Sequence, residues 1–574
     1  MKYVLRHLRN YTGLIALAFI CTFSRVFSEL SLPDMMSEIV DKGIVNSDMN
    51  FILKTGILMI FLSLLSALAS VFSNFFGAKI GASLARDLRK SIYEKVQSFS
   101  NTEFDKFGAA SLITRSINDI TQLQNFTVMF IRTVMMAPLM LTGSIIMAFS
   151  KSTKLALIFL ALIPPLALII ILISKKTIPL SVNMQKRMDR INLVLREKLT
   201  GMRVIRAFTM DAHEQNRFEE ANKAFTKTAI SLQVISSALM PLLSLVLNSA
   251  IILIIWLGAK YIEAGNLMVG DLMAILQYVI HIMFSLMAMS FIFIALPRAG
   301  ASAKRISEIL DTNPSITDIE DADNSLESSL IEFKNVSFKY PGSSDYVLKN
   351  ISFSAEPGKT TAIIGSTGSG KSTLASLIPR LYDVTEGAVL VGNKDVRNIT
   401  QESLRKKIGY VPQKAVLFSG TIEENIKYGN TSASDEEAKK AAEISQSLPF
   451  IERKEGTMSA SVAQGGQNFS GGQKQRLSIA RAIAKNPDIF IFDDSFSALD
   501  FKTDAALRKA LLETTKEKTV IIIAQRVSTI MNADKILVLD EGTLVGIGKH
   551  KELFESCDVY KEIVLSQLSK EEAI

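Results

Sequence analysis

Six apolar stretches, each close to the roughly 20 residues a helix needs to cross a bilayer, fill the N-terminal half of this chain. They lie at 14–36, 53–77, 126–149, 154–174, 237–262 and 272–296. An all-α membrane domain of six spans is therefore predicted. Two long polar stretches, 81–123 and 176–235, separate the second span from the third and the fourth from the fifth. They carry Arg86, Arg89, Lys90 and Arg115, then Lys186, Arg187, Arg196 and Arg203. This basic excess places them in the cytoplasm, and with them both termini. Their helical periodicity predicts that the membrane helices continue below the bilayer. The first dozen residues mix Lys2, Arg6 and Arg9 with Tyr3, Leu5 and Leu8, the pattern of a short interfacial helix in contact with membrane lipid.

The formal net charge of +8 fits those loops, and no nucleic-acid partner is needed to explain it. The two cysteines, Cys21 and Cys557, stand at opposite ends of the 574 residues, so neither a disulfide nor a metal cluster is expected. The first apolar run is too long for a cleavable signal peptide. Polar residues within spans are costly and so informative. Arg25 and Glu29, four apart, can pair on one helix face; with Arg132 and His281 they are also candidates to line a substrate cavity. The many methionines of the spans, Met135, Met136 and Met140 among them, suit either lipid-facing filler or an adaptable apolar surface. Pro138, Pro164, Pro165 and Pro241 are expected to kink their helices.

After Leu310 the chain turns acidic and polar through DTNPSITDIEDADNSLESS, a linker over 311–330. From Ile331, short β-branched strands alternate with helical stretches, a soluble α/β domain over 331–574. Its strongest motif is Gly365-Ser366-Thr367-Gly368-Ser369-Gly370-Lys371-Ser372, followed by Thr373, between the apolar strand 361–364 and a helical run. Such a loop closes backbone N–H groups around phosphates, with Lys371 reaching the β- and γ-phosphates and Ser372 ligating Mg2+. A second apolar strand, 489–492, delivers Asp493, which acts through magnesium. ATP and Mg2+ are the implied cofactors.

The residues between these motifs carry a resemblance. Asn468-Phe469-Ser470-Gly471-Gly472-Gln473 resembles the LSGGQ signature of ABC ATPases, which binds the γ-phosphate of a nucleotide held by the opposing subunit. Tyr340 in VSFKYPG resembles the aromatic that stacks on adenine, and Gln413 in GYVPQ the glutamine that senses magnesium. Ser497-Ala-Leu-Asp500 resembles the D-loop. With the six spans, the whole chain resembles a half-transporter of the ABC exporter superfamily, of the multidrug and lipid exporter type. That resemblance implies coupling helices in the cytoplasmic loops, here FDKFGAASLITRSINDI from Phe104 and GMRVIRAFTMDAHEQNRF from Gly201.

Two positions depart from the family pattern. A catalytic glutamate usually follows the Walker B aspartate; here it is Asp494, one methylene shorter. The switch histidine before Arg526 is Gln525. Positioning dominates phosphoryl transfer, so this chain's own Walker site is expected to bind ATP and hydrolyse it poorly. Its FSGGQ signature differs only by Phe469, and an intact signature is useful only opposite a competent site. The resemblance therefore narrows to the degenerate-site subunit of bacterial heterodimeric exporters, and the expected partner is a second, non-identical half. The expected activity is ATP-driven export of small hydrophobic or amphipathic compounds across a bacterial plasma membrane. A lipid or peptide exporter and an ATP-gated channel or regulatory subunit are the alternatives.

Overall fold

The structure, a computed structural model, describes residues 2–569. It divides into two compact units. One contains the chain up to Gln97 together with Ala110–Thr312; the other contains Ser98–Ala109 and the chain from Asn313 onward.

The first unit is wholly helical. A short helix α1 (Lys2–Leu8) precedes α2 (Thr12–Glu38) and α3 (Met49–Gln97). At 49 residues α3 is about 70 Å long, more than twice the roughly 30 Å of hydrocarbon. The intervening α4 (Asn101–Phe107) belongs to the second unit. The third span is built from α5 (Ala109–Thr114), α6 (Ile120–Met129) and α7 (Met136–Lys151), joined by π-helical turns at Arg115–Asp119 and Phe130–Val134. Next come α8 (Thr153–Thr200), α9 (Met202–Ala207) and α10 (Asp211–Ser237). Helices α11 (Leu239–Glu263) and α12 (Val269–Asp311) complete the unit. Among the described residues six helices are long and apolar enough to cross a membrane.

Pro138 and Pro241 each follow an interruption of regular α-helix, the π-helical turn Phe130–Val134 and the turn at Ala238 between α10 and α11. Helix α8 continues through Pro164, Pro165 and Pro179.

Polar groups pin the ends of the bundle. Lys151 on α7 reaches Asp34 on α2 at 2.6 Å and Asp271 on α12 at 3.0 Å. Ser37 donates to Asp271 at 3.0 Å, and the Gly270 amide donates to Asp41 at 2.8 Å. Further along, buried Asp119 accepts from Ser302 (2.9 Å) and pairs with Arg305. Asp119 is buried, where an unpaired carboxylate would cost several kcal/mol, and together these contacts tie α2, α7 and α12, and the turn at Arg115–Asp119, to one another.

The second unit is α/β. Strands β1 (Ile331–Phe338), β2 (Leu348–Ala355), β4 (Glu386–Val391) and β5 (Lys394–Asp395) form an antiparallel sheet in the order β2-β1-β4-β5. The larger sheet comprises β3 (Thr360–Gly365), β6 (Ile408–Val411), β9 (Ile489–Asp493), β10 (Thr519–Ile523), β11 (Lys535–Asp540) and β12 (Thr543–Gly548). Its order is β12-β11-β3-β10-β9-β6, and every pair except β11–β12 is parallel. The β-branched and aromatic runs TAIIG, IFIFD and TVIII suit strands covered on both faces. Short β7 (Gly420–Thr421) and β8 (Ser461–Val462) pair within a helical subdomain.

Residues 312–330 carry no helix or strand, but they are stitched to the ATPase fold. Asp323 pairs with Lys394, Asp318 accepts from Gln401 at 3.0 Å, and Ser329 accepts from Thr519 at 2.6 Å. Helix α4 is held in the same unit. Its N-cap residue Ser100 donates its amide to Glu103 at 2.9 Å, the Ser315 amide donates to the same carboxylate at 3.2 Å, and the Tyr382 hydroxyl donates to Asp105 at 2.9 Å. Burial and the Asp105 carboxylate together push the Tyr382 phenol well up. Burial alone would raise the Glu103 carboxyl, but the donors from Ser100 and Ser315 outweigh it and hold it below its ordinary value. A depressed carboxyl stabilises the fold above its unfolded pKa and stops doing so as pH falls through the folded one. Glu103→Ala is expected to cost α4 about 1–2 kcal/mol. Faster amide exchange confined to residues 100–107 and Ser315 is the expected readout.

Candidate ATP site

The order β3-β10-β9-β6 decides the geometry. The carboxyl ends of these four parallel strands lie along one edge of the sheet, where ligands of open α/β sheets bind. The loop 365–371 follows β3, Gln525 follows β10, Asp493 and Asp494 end β9, and Gln413 follows β6. Four segments separated by up to 160 residues of sequence (365 to 525) thus meet at one edge.

The loop after β3 is a tight nest. A Cβ on Gly365 would stand 2.1 Å from the Leu539 carbonyl oxygen, so only glycine lets the loop pass. Gly368 (φ 88°) and Gly370 (φ 94°) adopt left-handed backbone that glycine tolerates without strain. Helix α13 (Lys371–Leu377) starts at Gly370. Lys371 Nζ donates to the carbonyls of Gly365 (2.9 Å) and Ser366 (2.6 Å). Burial pushes this ammonium below its ordinary value, against the pull of Asp494 and Asp493.

Oxygen donors gather beside it. Ser372 Oγ donates to Asp493 Oδ1 at 2.9 Å. Burial raises the Asp493 carboxyl, and the neighbouring Asp494 adds to the rise against the hydrogen bond from Ser372. Hydroxyl and carboxylate oxygens are the ligands Mg2+ selects. Among the described residues no group of three or more His, Cys, Asp or Glu converges as a metal cage.

Asp494 occupies an unusual position. It has φ 47°, is 9% exposed, and anchors its own amide on the Ile523 carbonyl at 2.9 Å. Its Oδ2 accepts one hydrogen bond from Gln413 Nε2 and another from Gln525 Nε2, both at 3.2 Å. The two residues singled out by sequence as departures are therefore bonded to each other, and Gln413 completes a clamp on the same carboxylate oxygen. The Gln525 carbonyl is itself held by Gln567 at 2.8 Å.

Tyr340 makes edge contacts with Phe338 and Tyr382, at centroid distances of 5.0 and 5.3 Å, and its hydroxyl lies 2.9 Å from Thr373 Oγ1. The expected adenine-stacking aromatic thus sits at the start of α13.

The signature lies in another part of the unit, at the N-terminus of the helix Gly471–Ala484. Ser470 caps it: Ser470 Oγ accepts from the Gln473 amide (3.3 Å) and Gln473 Oε1 from the Ser470 amide (3.0 Å). The polar contacts of Ser470 and Gln473 stay within this cap, so the free helix terminus is available to an anion from outside. Gly471 has open space around its Cβ position, whereas a Cβ on Gly472 would meet the Ala498 carbonyl at 2.9 Å. Phe469 is 6% exposed and packs in the helical-subdomain core against Phe450 and Lys454. The one substitution in this signature therefore faces inward.

Sequence reasoning did not mark Tyr410, Gln475 or Ser495. The register Tyr410↔Ile491 brings the Tyr410 hydroxyl 3.5 Å from Asp493, and burial with that carboxylate raises its phenol. Gln475 donates to the Pro412 carbonyl at 3.4 Å, linking the signature helix to the loop of Gln413. Ser495 Oγ donates to the Val411 carbonyl at 3.1 Å. No spacing rule marks these residues: strand register places Tyr410, and packing of the signature helix and of the turn after β9 against the end of β6 and the loop that follows it places the other two.

Family models match two regions: that of the ABC transporter transmembrane region over residues 15–287 and that described as ABC transporter over 348–497. The chain is 39% identical over 571 residues to the ABC transporter ATP-binding protein YfiB of Bacillus subtilis (strain 168), covering all of this chain and 99% of the relative. It is 30% identical to an ATP-dependent lipid A-core flippase of Aromatoleum aromaticum, covering 100% of this chain and 96% of that protein. The fold is similar to that of a bacterial Atm1-family ABC exporter with ATP bound, with a TM-score of 0.78 at 24% identity, covering 99% of each chain.

Proposed function

This chain belongs to the ABC transporter family as an exporter half, with membrane region and ATPase in one polypeptide, and on that premise we propose that it works beside a second, non-identical half. It is an integral, multi-pass membrane protein. The proposed activity is ATP-driven export of hydrophobic or amphipathic compounds from the cytoplasm.

The observation that carries the heterodimer is the clamp on Asp494. The family's glutamate polarises the water that attacks the γ-phosphate. Asp494 is shorter by a methylene, and one carboxylate oxygen already takes the amides of Gln413 and Gln525. Moving an attacking water by about 1 Å costs on the order of 10²-fold. Glutamine also brings no charge at neutral pH where the imidazole of histidine can. In this reading Tyr340 stacks on adenine, and residues Gly365 to Thr373 cradle the phosphates. Ser372, Asp493 and the side-chain carbonyl of Gln413 would hold Mg2+, which would supply charge neutralisation to the phosphates. Ser470, Gly471, Gly472 and Gln473 complete the partner's site, for which the outward-open cap and the inward Phe469 leave them fit. The exposed apolar side chains of Val204 and Phe208, at and just beyond α9, support a further docking surface for the other half.

The similarity to a lipid A-core flippase favours a lipid as one alternative cargo.

The test is ATP-driven uptake of the amphipathic dye Hoechst 33342 into inside-out vesicles. Vesicles containing this chain alone are expected to accumulate little. Co-expression with an exporter half bearing the glutamate and the histidine is expected to restore accumulation against a gradient. Full accumulation by the chain alone makes it a self-sufficient homodimer. ATP-dependent conductance without accumulation makes it a channel.

A further inference from the structure

Within the membrane unit, a cavity of about 420 Å³ is lined on its polar side by Arg25, Glu29, Asn74, Arg132 and His281. These residues come from α2, α3, the π-helical turn before α7, and α12. Their charges do not cancel. Arg25 Nε donates to Glu29 Oε1 at 2.8 Å, and Ser66 adds a weaker contact to the same oxygen at 3.4 Å, so that carboxylate is already neutralised. Arg132 has no ion pair or hydrogen bond among the described residues. It sits in the π-helical turn Phe130–Val134, closed by the Met135 amide on the Phe130 carbonyl at 3.0 Å. Such turns within α-helices recur at functional sites. Across the cavity, His281 Nδ1 is buried without a partner. Met136, Met140 and Phe284 supply the apolar lining.

Arg132 is exposed and lines the cavity without a counter-ion among the described residues, so its guanidinium is open to an anion there. An unpartnered buried imidazole nitrogen calls for a polar contact. One occupant satisfies both groups and uses the apolar lining as well. The geometry points to a binding site for the anionic head group of an amphiphile, with Arg132 as counter-ion, His281 Nδ1 as second polar contact and the methionine-rich wall around the tail. Carboxylate, phosphate and sulfonate heads share this chemistry, and a guanidinium binds any of them through paired N–H donors. The inference names the cargo class of the exporter proposed above and rests on that reading for transport, though not for binding.

The probe is dansylaminoundecanoic acid, with its uncharged methyl ester as control. Both are titrated by dansyl fluorescence into the full chain in phosphatidylcholine nanodiscs without nucleotide. The acid is expected to bind at least about tenfold more tightly than the ester. Arg132→Gln should abolish that preference with ester affinity unchanged, and Arg132→Lys should retain most of it, which separates lost charge from misfolding. His281→Gln should weaken the acid by about threefold. Competition by phosphatidylglycerol would identify the occupant as a bilayer lipid, and its absence would identify a non-bilayer amphiphile. Equal binding of acid and ester, or an undiminished preference in Arg132→Gln, overturns the proposal. Charge-selective binding in nanodiscs, with no ATP-driven flux of the acid in inside-out vesicles that also contain a half bearing the glutamate and the histidine, would sink the exporter reading alone. Flux of acid and ester alike, indifferent to Arg132→Gln, would sink the head-group site alone.

Discussion

The double substitution Asp494→Glu, Gln525→His is expected to raise the ATPase rate of this chain, purified alone in nanodiscs, by about 10²-fold. The reasoning lies in the clamp. Asp494 Oδ2 takes both glutamine amides at 3.2 Å, and the left-handed backbone at φ 47° fixes where a side chain of that length can reach. Glutamate extends the carboxylate by one methylene, beyond the position where the two amides meet it. Histidine removes the Gln525 amide from the carboxylate and restores a group able to carry positive charge near the γ-phosphate. Asp494→Glu alone should recover only part of the rate, since Gln525 still competes for the carboxylate. Residues that act as one unit are strongly non-additive, so the double variant should exceed the product of the singles. An unmodified chain that already turns over on the order of 10 s⁻¹ would dispose of the degenerate site.

The second large effect falls on the signature. Gly471→Asp in this chain, paired with a half that carries glutamate and histidine, is expected to lower ATP turnover of the pair by about 10²-fold or more. The substitution should leave this chain's own fold intact. The Cβ position of Gly471 meets nothing within 4 Å, and an aspartate in the first turn of a helix is favoured by its dipole. What changes is the charge offered to the opposing phosphate, from a helix terminus that attracts an anion to a carboxylate that repels one. Lys371→Ala, on the weakly hydrolytic site, is expected to reduce turnover of the same pair far less. If Gly471→Asp leaves turnover unchanged while Lys371→Ala abolishes it, the catalytic site is this chain's own and the assignment of the two sites is reversed.

Much of the molecule was legible before any coordinates. Six apolar stretches could only be spanning helices, and their positions match α2, α3, α6 to α8, α11 and α12, because the hydrophobic requirement of a bilayer is written in consecutive residues. The loop 365–372 was readable for a related reason: phosphate binding there uses adjacent backbone amides, so its whole specification is local. The identities of Asp494 and Gln525 were equally plain.

Other features depended on tertiary structure. That Asp494 and Gln525 are bonded to each other follows from β9 and β10 being neighbours, and Gln413 joins them because β6 lies on the other side of β9. The inward turn of Phe469, and the seating of α4 and of residues 312–330 within the ATPase unit, depend on packing partners far away in sequence. Regular α-helix is interrupted ahead of Pro138 by a π-helical turn and ahead of Pro241 by the turn at Ala238, and the form of each interruption was not readable from the prolines alone.

The polar cavity was the least legible of all. Arg25, Arg132 and His281 could each be flagged as costly in a span, but not placed around one cavity. In a soluble helix, water on one face and core on the other leave a periodic pattern. In a membrane helix, lipid and protein are both apolar and the pattern that would report orientation is faint. Consecutive residues were enough to mark the segments long and apolar enough to cross, the loop with a phosphate-binding pattern, and the two positions, Asp494 and Gln525, that depart from the family pattern. Only the tertiary structure decided which faces meet, because in a bilayer the choice of face is made by packing and polar pairing between helices rather than by contact with water.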